Sequence, residues 1–155
     1  MTMKTLASAN DKTEVLRRFS TLRPESVRQW GRMTPHQMVC HVTDAYRLLT
    51  GERIARPVRG PIPGLVLKWI ALYVPLTWPR GIVTVPEADQ ELGGTKPVEF
   101  VRDVAALTTM LDEITRGPSG RFEGIVHPIF GPMSAVAWMR WGYLHADHHL
   151  RQFGL

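Results

Sequence analysis

Apolar residues recur at three- and four-residue intervals in four stretches of this chain, the signature of helices that bury one face. In the first stretch Val15, Leu16, Phe19 and Leu22 share a face; Asn10 or Asp11 opens the helix, with Glu14 placed to close a capping box on Asp11, and Pro24 ends it. The second has the clearest start. Thr34 serves as N-cap, Pro35 takes the first helical position, where a missing N–H costs nothing, and Gln37 follows at the third. From there Met38, His41, Val42, Ala45, Leu48 and Leu49 form the inward stripe and Gly51 stops the helix. The third is expected to begin near Thr95 with Pro97 in its first turn, to bury Phe100, Val104, Leu107, Leu111 and Ile114, and to close at Gly117-Pro118. The fourth follows Gly131-Pro132, with Ser134 as N-cap, and runs to about Phe153.

Residues 52–94 read differently. Pro57, Pro61, Pro63, Pro75, Pro79 and Pro86 break the segment into loops around one short apolar helix, about Leu65 to Tyr73. The most apolar run, Gly64 to Leu76, is shorter than the roughly 20 residues of a membrane span and is interrupted by Lys68 and Pro75, so it is either packed or an exposed patch. No period-two alternation runs long enough for a sheet. The expected fold is all-α: a single domain over residues 1–155, an antiparallel-type bundle of four main helices with a long Pro/Gly-rich crossover carrying one short extra helix.

Composition changes this picture little. A chain of 155 residues with 44% apolar and 21% charged residues can bury a core without staples, and the single cysteine, Cys40, excludes an internal disulfide. The N-terminal ten residues hold no apolar core of signal-peptide length, so a cytoplasmic location is expected. The net charge of +5 raises a nucleic-acid hypothesis, but the arginines are scattered and form no aromatic-interleaved stripe. A solvated basic surface, or attraction of a small anionic substrate, is the better reading.

The histidines carry the chemistry. His145 and His149 are four residues apart, so on a helix they are neighbours on one face, the face that Trp138, Trp141 and Gly142 also occupy. Two imidazoles can reach one ion at about 2.0–2.1 Å but leave it under-ligated. His41 is the one histidine elsewhere on an inward stripe, which makes His41, His145 and His149 the expected metal ligands. Three protein ligands with open positions is the pattern of catalytic rather than structural sites. His148, at the edge of the stripe, could be a hydrogen-bonding neighbour, a substrate contact or a fourth ligand; the non-ligand reading is preferred, and in a metal-dependent enzyme it would be the candidate catalytic base or orienting group. Asp44, three residues past His41, is either a hydrogen-bond partner of a ligand imidazole or a solvated carboxylate; Gln152, one turn past His149, is placed to bond into the site. His36 is expected to be exposed, Cys40 to be a small core residue, and His127, just before Pro128, to tie the turn ahead of the last helix.

The segment Met33-Thr-Pro-His-Gln-Met-Val-Cys-His41, the stretch His127-Pro-Ile-Phe-Gly-Pro-Met-Ser134 followed by Trp138, and the closing Tyr143-Leu-His-Ala-Asp-His-His-Leu-Arg-Gln-Phe-Gly154 resemble the DinB-like superfamily of metal-binding four-helix bundles. The last 30 residues are the most specific, and they match a branch of that superfamily whose members carry no assigned activity. The resemblance implies an up-up-down-down bundle and one ion, commonly zinc or nickel, on three histidines that fall here on His41, His145 and His149. It also implies thiol-dependent transferase or isomerase chemistry, with a low-molecular-weight thiol such as mycothiol, bacillithiol or glutathione as partner, and dimers among the relatives. The long Pro-rich region departs from a minimal bundle, so pocket shape and substrate do not carry over.

The leading functional expectation is thus a metal-dependent enzyme of the thiol-dependent S-transferase type. A metal-dependent hydrolase is weakened by the lack of a carboxylate on the histidine stripe, and a non-catalytic metal- or small-molecule-binding stress protein is the reading from another class. A di-iron oxidase is the least favoured class: His145-Ala-Asp-His148-His149 matches an HxxHH string, but there is one such cluster and no membrane span, and no Glu has His three residues on.

Overall fold

The structure is a computed structural model describing residues 3–118 and 120–155; Met1, Thr2 and Ser119 lie outside the described residues, so the N-terminal reading rests there on sequence alone. It is mostly helical: α1 (Ala9–Thr21), α2 (Pro35–Thr50), α3 (Gly64–Tyr73), a single 3-10 turn (Pro86–Ala88), α4 (Phe100–Thr115) and α5 (Ala135–Arg151). Two residue pairs, Val126–His127 (β1) and Gly131–Pro132 (β2), form a minimal antiparallel hairpin that the apolar periodicity did not reveal.

Helix α2 packs most extensively on α4, and α5 packs on α1, α2 and α3. Phe19, Tyr46, Leu111, Trp138 and Leu150 close the core with essentially no exposure. Each such side chain contributes roughly 1.5–3 kcal/mol by leaving water. Most residues of the stripes inferred from periodicity are buried, but Leu16, Leu48, Phe100 and Val104 are only half-buried, and α2 buries Val39, Cys40, Thr43 and Tyr46 as well. The α2 signals also hold. Thr34 and Gln37 make a reciprocal capping box, and Gly51 sits at φ 80°, a left-handed conformation that costs glycine nothing.

Two helix starts fall elsewhere than expected. Helix α1 begins at Ala9 because Ser8 caps it, its hydroxyl accepting from the Asp11 N–H. Asp11 turns back to accept the Thr5 N–H and to pair with Lys4, and Glu14 pairs with Lys4 instead of closing a box on Asp11. Helix α4 begins at Phe100, not near Thr95. The Thr95 N–H and hydroxyl both donate to Asp44, at 2.7 Å each, so this residue is tied to α2 and Glu99 caps the helix instead.

Candidate metal centre

His41 enters from the middle of α2, and His145 and His149 enter from successive turns of α5. All three are buried, and one ring nitrogen of each lies within 4.8 Å of the others, a group that could hold a metal ion. Nε2 of His41 stands 3.2 Å from Nε2 of His145. Two nitrogens on a tetrahedral ion, each roughly 2.0–2.1 Å from it, must be about 3.3 Å apart. The pair is already at ligand spacing.

Proton positions follow from the neighbours. Nδ1 of His41 is 2.7 Å from the Ala88 carbonyl oxygen, which can only accept, so this nitrogen carries the proton and Nε2 keeps its lone pair. Gln152 donates its amide to the Trp30 carbonyl at 2.9 Å, which leaves its oxygen facing Nδ1 of His149 at 3.2 Å. That nitrogen therefore also carries the proton, and His149 Nε2 keeps a lone pair as well. His145 lies flat on Trp141, with ring centroids 4.7 Å apart, and its Nδ1 is buried without a hydrogen-bond partner among the described residues. Burial pushes the pKa of each of the three imidazoles down, so all are held neutral, the form that can ligate. Without an ion, His145 can carry its proton on Nε2 and donate to the His41 Nε2 lone pair, which leaves its own buried Nδ1 unsatisfied; a cation shared by the three rings would instead use a lone pair from each.

The other residues singled out in the sequence sort clearly. Gln152 bonds into the site as expected. Asp44 does not touch His41. Fully buried, it accepts from Gln90, from Thr95 and from Arg47, and pairs with Arg53, all groups that anchor the chain around residues 88–95. It thereby holds the loop whose Ala88 carbonyl orients His41, one step further out than expected. His148 stays outside the converging group and lines a cleft of about 200 Å³ with Trp30, Trp78, Leu144, Asp147 and Arg151. Trp78, from the Pro-rich segment, joins cleft to triad, its ring 5.9 Å from His148 and 6.5 Å from His145. Periodicity could not place Trp30, Trp78 or Ala88, since the first two come from irregular chain and the third from a single 3-10 turn. A bulky tryptophan inside a Pro-rich loop was the one available signal.

His36 is half-buried rather than exposed, its Nε2 2.6 Å from an Asp103 oxygen that also accepts from the Val98 N–H. With Cys40 these two form a second group of ligand-type side chains. Burial and the neighbouring Asp103 carboxylate push the Cys40 thiol up to about 12, so in the metal-free protein it is a protonated, buried residue.

His127 ties the turn before α5, as expected: its Nδ1 accepts the backbone N–H groups of Ile129 and Phe130, and its ring stacks on Phe130. Burial lowers its pKa from 6.5 to about 3. The unfolded chain therefore binds a proton between those values that the folded chain refuses, and stability falls as pH drops through that window. A His127→Phe variant keeps the ring but not the titration. Its unfolding free energy should depend less steeply on pH below 6.5 than that of the wild type, by up to about 1.4 kcal/mol per pH unit, measured by urea unfolding across pH.

Comparison of the chain with protein-family models, with curated proteins and with solved structures finds no match.

Proposed function

We propose that the chain holds one divalent ion on His41, His145 and His149 and acts as a metal-dependent enzyme of the thiol-dependent S-transferase type, in line with its resemblance to DinB-like bundles. The observation that carries the first half is the fixed tautomer of His41 and His149, whose Nδ1–H groups are each taken by an oxygen acceptor so that Nε2 keeps its lone pair, in a group whose ring nitrogens lie within 4.8 Å of one another. A zinc or nickel ion held there lowers the pKa of a bound thiol or water and makes a nucleophile available at neutral pH.

The second half is supported by the adjoining cleft. Its aromatic walls, Trp30 and Trp78, suit an apolar electrophile. The Arg80 guanidinium lies 4.6 Å over the Trp30 ring, and Asp147 is paired with Arg18 at 2.7 Å and Arg151 at 3.8 Å, so basic groups outnumber the one carboxylate at the cleft. A thiol cofactor bearing carboxylates would be attracted to it. His148, on the cleft wall with its ring 5.2 Å from that of His149, is the residue for orienting the incoming thiol or relaying its proton.

The test is consumption of thiol by metal-loaded protein offered a panel of low-molecular-weight thiols and alkyl electrophiles. Turnover should disappear on chelation, return with zinc or nickel, and fall by roughly 10²–10⁴ in His148→Ala. If the ion binds but no thiol–electrophile pair reacts, the transferase reading is withdrawn in favour of a binding protein.

A further inference from the structure

The crossover segment that supplies Trp78 carries a feature the metal centre does not use. Helix α3 is apolar on both sides. Leu67, Ala71 and Leu72 turn inward onto the core, and Gly64 lets the helix start pass so close to the β1–β2 turn that a Cβ there would meet the Ile129 carbonyl oxygen at 2.6 Å. Leu65, Val66, Trp69, Ile70 and Tyr73 occupy the opposite arc and face outward, with Leu65 69% and Trp69 61% exposed. Leu76, 70% exposed, continues the patch to the rim of the cleft. Of the nineteen large hydrophobic residues exposed among the described residues, eleven lie in residues 53–86, about a fifth of the chain, so the patch is a concentration and not ordinary scatter.

Charge singles out the same segment. Residues 53–86 contain Arg53, Arg56, Arg59, Lys68 and Arg80 and no acidic residue; of the 19 basic and 14 acidic residues, the remainder of the chain keeps 14 of each. The whole net charge of +5 therefore resides here. Arg53 is spent on Asp44, and Lys68 donates to the Pro132 carbonyl, but Arg56 and Arg59, which precede α3 in the chain, are exposed, as is Arg80, which follows it and stacks over Trp30.

We propose that this face docks on an anionic membrane surface, with α3 lying in the interface. A short helix with an outward apolar arc, aromatic rings that can sit at headgroup depth and flanking arginines has the chemistry of an interfacial anchor. No helix of the described residues is long and apolar enough to cross a membrane, so the contact would be peripheral. A second copy fits less well, because a two-fold interface would bring like arginines together with no acidic partner in the segment.

The test is co-sedimentation of the full chain with vesicles of phosphatidylcholine alone and of phosphatidylcholine with about a third phosphatidylglycerol. Binding to the anionic vesicles should be stronger by about tenfold or more, should weaken as salt rises, and should be lost in a Leu65→Glu, Trp69→Glu double variant that keeps its helical circular dichroism. Protein that stays in the supernatant with anionic vesicles, or that binds both vesicle types equally, overturns the proposal. So does a concentration-dependent dimer in sedimentation velocity that the same substitutions abolish, since the patch would then be an interface between copies. None of these readings depends on the metal content of the protein.

Discussion

Protein supplied with zinc or nickel and freed of excess should retain about one ion per chain, and His41→Ala and His145→Ala should each lose it while the helical signal persists. The variants are expected to fold because Trp138, Tyr46 and Leu150 and the rest of the buried core remain in place. His148→Ala and His36→Ala should keep the ion, since neither residue belongs to the converging group. Two lone pairs are directed by hydrogen bonds already made, to Ala88 and Gln152, so little order has to be imposed on binding. The ion should also stabilise the fold. At 100 times the dissociation constant the gain is about 2.7 kcal/mol, or roughly 5–10 °C in melting temperature for a chain of this size. Wild-type protein that takes up neither metal would end the ligand reading, and the three histidines would then be core or substrate-contact residues.

The second large effect is expected at Asp44, through its neighbours rather than through contact with the ion. Its carboxylate is fully buried and compensates Arg53 while accepting from Thr95 and Gln90. Asp44→Ala leaves Arg53 without its carboxylate and should cost about 3–5 kcal/mol in urea unfolding of the metal-free protein. The loop thus released carries the Ala88 carbonyl, so metal affinity should fall about ten- to a hundredfold by calorimetric titration. Asp44→Asn keeps the volume but presents an amide to groups that are all donors, and should lie between the wild type and the alanine variant. A destabilised Asp44→Ala protein with unchanged metal affinity would show that the Ala88 carbonyl does not orient His41.

The sequence by itself determined the helices and the histidine pair. Helix periodicity is a local property, so the stripe through Val15 and Phe19, the Thr34–Gln37 box and the Ser134 cap could be read without knowing any partner. The i, i+4 spacing of His145 and His149 is local too, and the inward position of His41 followed from its own helix. Two helix starts were misplaced for a single reason: a cap competes with every other acceptor in the fold. Ser8 took Asp11, and Asp44 took Thr95 from 51 residues away.

The tertiary structure alone decided what surrounds the triad. The Ala88 carbonyl comes from a single 3-10 turn, and the Trp30 carbonyl behind Gln152 and the Trp78 ring from irregular chain, where no sustained period exists to predict direction. It also decided that α3 packs one apolar side and exposes the other. The sequence showed only an apolar run, and burial of one face rather than both depends on how many neighbours the bundle can place around it; here α5 and the β1–β2 turn cover one side only.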